Sequence, residues 1–138
     1  MITALFVENF DMRQAPGGAA RLDLNGVYFS MAAPTPFPVK LTPHLLVLVR
    51  CPDDEDGLAA LEVVFKRDGE QIARNVQPLQ VEPGKFGYNL VQAELEFDGP
   101  GNVEAHCRIN QGETTVVPLT IIPPVEYSNS RTRAVRSV

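Results

Sequence analysis

The chain has no tryptophan, only two cysteines and two histidines, and no acid over its last twelve residues. No stretch approaches the roughly 18 uncharged apolar residues that a membrane helix requires. The opening run Met1 to Val7 meets Glu8 and Asp11 almost at once. A basic leader followed by a small-residue cleavage site is also missing, so the expectation is a cytoplasmic, uncleaved chain, or one packaged into a particle assembled in the cytoplasm. Base is scarce as well: 12 Lys and Arg stand against 17 Asp and Glu, a formal charge of −5. Phosphate contacts dominate nucleic-acid affinity, so no nucleic-acid partner is expected, and no membrane partner either.

Catalytic material is equally thin. Ser30, Ser128, Ser130 and Ser137 are the only serines, and none sits in a Gly-x-Ser-x-Gly elbow. Neither the Gly-x-x-x-x-Gly-Lys phosphate loop nor the Gly-x-Gly-x-x-Gly dinucleotide fingerprint occurs. Carboxylates that share a face, such as Glu94 and Glu96, alternate with apolar residues and read as a solvated sheet surface. No enzyme activity and no cofactor are expected.

What is present is turn chemistry and alternation. The 138 residues suit one domain, and 12 Pro with 10 Gly favour many turns. Ile2 to Phe10 reads as a first strand, ended by the turn residues Gln14 to Gly18. Arg21 to Met31 alternates through Leu22 and Leu24, and Gly26 inside it marks a bulge, a close backbone approach or a division of the strand. Pro34, Pro36 and Pro38 cannot donate to a ladder, which predicts an extended link. His44 to Cys51 is nearly all apolar, as in a central strand covered on both faces, or with one face under a loop or partner.

Leu58 to Arg67 fits a helical face or a strand. The β-prone Val63-Val64-Phe65 and the Asp68-Gly69 turn favour a hairpin returning along Gln71 to Val76. Tyr88 to Phe97 places Val91, Ala93, Leu95 and Phe97 on one face, and Asn102 to Ile109 turns Val103, Ala105, Cys107 and Ile109 inward. Thr114 to Ile122 is the last strand. About eight short strands without a long helix predict an all-β, immunoglobulin-like antiparallel sandwich of seven or eight strands over residues 1–124, followed by a basic arm or flexible tail over 125–138.

Ala4-Leu5-Phe6-Val7-Glu8, Leu22-Asp23-Leu24-Asn25-Gly26-Val27-Tyr28, the proline link and the Leu45-to-Val49 strand carry a resemblance. Over roughly residues 2 to 122 the chain resembles a family of short bacterial proteins of unknown function that open with a strand, a turn and a Leu-x-Leu-x-Gly-Val strand. The resemblance implies an immunoglobulin-like sandwich and transfers no active site. The segment after Pro124 departs from the family pattern.

Cys51 and Cys107 are 56 residues apart, a separation compatible with an inter-sheet bridge. An immunoglobulin domain would add a buried Trp and a Tyr two residues before the second Cys, whereas position 105 is Ala, so two reduced thiols are expected. His106 and Cys107 are adjacent and point to opposite strand faces, which argues against a shared metal. In Asp53-Asp54-Glu55-Asp56-Gly57, aligning Gly57 with the glycine of a calcium loop puts Pro52 at the first ligand and Val63 at the last, so the run reads as a solvated turn.

The remaining feature is the tail. Residues 1–126 hold nine bases and all seventeen acids, whereas residues 127–138 contribute three arginines and no acid. One reading of this segment is a flexible terminus that keeps the protein soluble; in the other, Arg131, Arg133 and Arg136, with Val135 and Val138 as small anchors, are the candidate partner-binding residues of an arm laid across an acidic surface of a neighbouring subunit. The expected function is a non-enzymatic interaction or structural module whose protein partner is itself or another assembly subunit, for example in a virion or similar particle. The alternative is a small-ligand site lined by Tyr28, Tyr88 and Phe86 beside Gly84 and Gly87.

Overall fold

In the computed structural model, which describes residues 2–14 and 16–125, the chain is all-β. Asp68 and Gly69 both take positive φ, 53° and 80°. A two-residue type I′ turn needs both, and glycine supplies the second without a Cβ clash. Arg67 pairs with Glu70 across this turn.

In chain order the strands are β1 (Ile2–Gln14), β2 (Ala20–Tyr28), β3 (Ser30–Ala32), β4 (Val39–Leu41), β5 (His44–Arg50), β6 (Leu58–Arg67), β7 (Glu70–Gln80), β8 (Phe86–Gln92), β9 (Leu95–Phe97), β10 (Gly101–Ile109) and β11 (Thr115–Ile122). They form a four-stranded sheet in the order β2-β1-β5-β8, a five-stranded sheet in the order β3-β11-β10-β6-β7, and a small β4-β9 pair. All pairings are antiparallel except β3 with β11. Among the described residues only Pro16–Gly18 makes a helical turn.

Period-two alternation explains the core. Val103, Ala105 and Cys107 of β10, with Leu61, Val63 and Phe65 of β6, are fully buried, as are Leu45 and Val47 of β5 and Val91 of β8. Residues from both larger sheets and from β4 and β9 join one cluster. Phe6, Phe65 and Phe97 are its largest fully buried side chains, each worth about 2–3 kcal/mol by removal from water.

Four strand boundaries differ from those expected, the first being β1, which runs on past Phe10 to Gln14. The Arg21–Met31 run divides at Phe29, not at Gly26, and its halves join different sheets. Register is constant on both sides of Gly26, so there is no bulge. Gly26 (φ 70°) instead allows a close approach, since a Cβ there would sit 2.9 Å from the Glu8 Cβ. The Tyr88–Phe97 run also divides, into β8 of the four-stranded sheet and β9, which pairs with β4 beyond the proline link. Both halves keep the alternation because both turn one face to the same core. The return strand of the 67–70 hairpin runs on to Gln80, past Pro78, because it is an edge strand where a missing amide is tolerated.

The β1–β2 hairpin does not lie flat. β1 pairs with β5 only through Ile2–Val7, and Tyr88 of β8 is level with Thr3, through Leu48. A straight β1 would carry Phe10 about 23 Å beyond that level. The rings of Phe10 and Tyr88 are nevertheless 5.8 Å apart, edge to face. The distal hairpin, residues 9–14 and 20–25, therefore doubles back at Glu8 and Gly26 over the outer face of β5 and β8. That is why Val7 and Leu46, on the face away from the main core, are only 1% exposed.

Candidate functional site

At the end of the molecule where β5, β7 and β10 finish and β6 begins, the strand-end side chains leave a cavity of about 350 Å³. Val49, Leu58, Ala59, Leu79, Val81 and Ile109 form its apolar wall, and Arg50, Glu55 and Asn110 add polar groups. Two loops are pinned around it. The Cys51 amide donates to the Lys85 carbonyl (3.0 Å), the Gly84 amide to the Cys51 carbonyl (2.8 Å), and the Val81 amide to the Gly57 carbonyl (2.9 Å). The Asp56 carboxylate accepts from the Leu58 amide at 3.0 Å, as a local cap on the start of β6. Across the mouth, Asn110 adopts a positive φ (51°) and exchanges two bonds with Ala60: its amide donates to the Ala60 carbonyl and its side-chain oxygen accepts from the Ala60 amide.

The rim carries a concentration of negative charge. Asp53, Asp54, Glu55 and Asp56 are consecutive and exposed, and Glu82 sits across the loop in an ion pair with Lys85. Among the described residues, none of the four consecutive carboxylates makes an ion pair. Leu58 is 63% exposed at the mouth. The site thus combines an apolar wall with one charge of each sign on its lining, Arg50 and Glu55, and the exposed acidic run beside Glu55.

Both cysteines are free and buried. Cys51 lines the cavity, and its thiol donates to the Pro52 carbonyl at 3.4 Å. Cys107 lies in the main core, where burial pushes its pKa up to about 11. The histidines are elsewhere. His44 Nδ1 lies 3.0 Å from the Glu8 carbonyl, and His106 Nε2 lies 3.1 Å from Glu104 on the solvent side of β10. Among the described residues no group of His, Cys, Asp and Glu is placed to hold a metal ion.

The two flanks of the sheets differ. Between edge strands β7 and β8, Gln77 donates to the Leu90 carbonyl (3.1 Å), and Asn89 donates to the Gln77 side chain (3.0 Å) and the Pro78 carbonyl (3.3 Å). These bonds tie one sheet to the other and seal that flank. On the opposite flank, among the described residues, β2 pairs only with β1 and β3 only with β11, and the single residue between them, Phe29, is 81% exposed.

Sequence reasoning missed the cavity, because its lining comes from strand ends far apart in the chain. Apolar residues continuing to the last position of a strand, as Ile109 does, are the one signal it left. Of the residues expected at a small-ligand site, Tyr88, Phe86 and Gly87 come together and Tyr28 does not join them. Tyr28 packs against the main core and its hydroxyl donates to Glu8 at 3.4 Å, whereas Tyr88 and Phe86 line a small groove with Met12, Leu22 and Leu48 under the folded-back hairpin. Arg131, Arg133, Val135, Arg136 and Val138 lie outside the described residues. Among the described residues no helix is long and apolar enough to cross a membrane. No protein-family model matches the chain, and no curated protein matches it significantly.

Proposed function

We propose that the chain is an immunoglobulin-like β-sandwich that works as a non-enzymatic interaction module, joining copies of itself or other subunits of a larger assembly such as a virion or comparable particle. The supporting observation is the asymmetry of the flanks. One is closed by side-chain bonds between β7 and β8, and the other presents two strand edges with no partner among the described residues, β3 and the 26–28 end of β2, with Phe29 in water between them. Unpaired edges accept partner strands, and an exposed aromatic beside them supplies an anchor.

The test is the mass of the purified protein by light scattering across a concentration series, for the native chain and for Phe29→Lys. The expected result is a concentration-dependent oligomer that Phe29→Lys weakens without changing the circular dichroism. A chain that stays monomeric at millimolar concentration and brings down no partner from its source would overturn this reading.

The second reading, small-ligand binding, is favoured by the size of the end cavity, which falls within the range of about 300–1,000 Å³ usual for ligand pockets. Its test is a thermal-shift screen, since a ligand bound only by the folded chain raises the melting temperature.

A further inference from the structure

We propose that the distal edge of β2, residues 20–25, pairs with the same edge of a second copy, antiparallel and centred on Leu22. This rests on the assembly reading above and gives it a surface separate from the Phe29 flank. An unpaired strand edge accepts another strand unless something blunts it, and the edges of this molecule differ in that respect. β3, β4 and β9 are only three residues long. The outer edges of β7 and β8 are tied together by Gln77 and Asn89, and β7 also carries Pro78 and a register shift against β6 at Phe65 and Lys66. Among the described residues β2 pairs only with β1. Its register there is unbroken from Asn25, opposite Asn9, to Ala20, opposite Gln14. Residues 20–25 contain neither proline nor lysine, and the only base, Arg21, is matched by Asp23. They form a regular edge of the kind that other proteins take care to blunt.

Charge selects a second copy as the occupant. The ladder sets Asp11 directly across from Asp23 and Arg13 directly across from Arg21, all on the hairpin face opposite Met12 and Leu22. Like charges in such rows repel. Within one copy, relief comes only from neighbours outside the row: Arg13 to Asp23 at 3.1 Å, Arg21 to Asp23 at 2.9 Å and Arg13 to Asp11 at 3.9 Å. A second copy related by a two-fold axis at Leu22 places its Arg21 opposite Asp23 and its Asp23 opposite Arg21. Each acidic row then runs on into a basic row of the other copy. Centring on Arg21 or Asp23 would set that residue against itself, and centring on Leu24 would face Asp23 with Asn25, so the charges favour Leu22. On the other face Ala20 meets Leu24, which is 37% exposed in the single copy. Such a contact uses the same patch on both copies and closes as a dimer.

The experiment uses the full chain and two charge variants, Arg21→Asp and Asp23→Arg. Each turns one like-charge row inside the hairpin into an opposite-charge row, so the fold should survive, and circular dichroism with thermal melting checks that it does. Alone, each variant sets like charges against each other twice across the two-fold axis and should self-associate at least about tenfold more weakly than the native chain by light scattering. Mixed in equal amounts, the acidic and the basic variant face each other with opposite charges and should associate at native strength or better. Register is read by cross-linking. Leu22→Cys should give a disulfide-linked dimer on mild oxidation, since directly opposite residues lie about 5 Å apart. Leu24→Cys, about 13 Å along the strands from its counterpart, should not.

Association that neither charge variant changes but Phe29→Lys abolishes would overturn the β2 contact and leave the assembly reading standing. A native chain that stays monomeric would overturn both. Two variants that each associate weakly and are not rescued by mixing, or a cross-link at Leu24→Cys in place of Leu22→Cys, would overturn the two-fold pairing about Leu22.

Discussion

The ring of Phe10 meets that of Tyr88 edge to face, with centroids 5.8 Å apart and planes at 72°. The two residues belong to strands that do not pair with each other, since β5 separates β1 from β8. Their contact fixes the path of the whole distal hairpin, which covers Val7 and Leu46 and gives the four-stranded sheet a second, smaller buried layer outside the main core. A double-mutant cycle of Phe10→Ala and Tyr88→Ala, read by urea denaturation, should give a coupling of about 1 kcal/mol, the usual worth of an aromatic pair. Strictly additive losses would show that the hairpin does not dock there.

Gly26 sits at the bend of that hairpin with φ 70°, opposite Glu8. Replacement by alanine adds a Cβ that crowds the Glu8 Cβ and imposes a left-handed conformation on a residue that resists it. Gly26→Ala should lower stability by about 1–2 kcal/mol. Faster hydrogen exchange should accompany it at the amides of residues 9–14 and 20–25, with the β10–β11 ladder unaffected. Uniform destabilisation of both regions would argue against a local hinge.

On the outer face of the five-stranded sheet, Glu62 accepts from Arg74 Nε (2.8 Å) and Arg108 Nε (2.7 Å). These hydrogen bonds hold its pKa below the ordinary glutamate value. A carboxylate depressed in the folded state contributes stability that is present above its unfolded pKa and is lost as pH falls through the folded one. The contribution is therefore intact at neutral pH and declines below about pH 4.5. Melting temperatures measured from pH 7 to 3 should fall less steeply for Glu62→Gln than for the native chain. Parallel curves would remove Glu62 from the account.

The two thiols should separate cleanly in native protein. Cys51 belongs to the same core cluster but lines the cavity, whereas Cys107 is fully buried with its pKa pushed up to about 11 and is almost wholly protonated at pH 8. Mass spectrometry after alkylation of dilute native protein should find Cys51 modified first and Cys107 only after denaturant is added. Equal rates would mean that the β10 core opens readily, and a pair that resists alkylation until reduced would mean a disulfide.

The all-β class, the Asp68-Gly69 hairpin and the inward set of β10 were legible in the residues, because a strand with one face in a core and one in water must alternate. Even the ambiguous Leu58–Arg67 segment resolved as a strand through its turn chemistry. The apolar run His44–Arg50 signalled cover on both faces, and it has it. What alternation encodes is which way a side chain points, and nothing about which partner strand lies beside it. Phe10 and Met12 continue the spacing of Ala4 and Phe6, yet after the bend at Glu8 they face a different surface. Leu95 and Phe97 continue that of Val91, yet they belong to a different sheet. The end cavity and the contrast between sealed and open flanks arise in the same way, from strand ends and edges brought together across long stretches of chain. The sequence by itself determined local conformation, through turn residues and period-two burial. The tertiary structure alone decided the pairing order, the doubled-back hairpin and the end cavity, because each depends on contacts between segments that no local pattern relates.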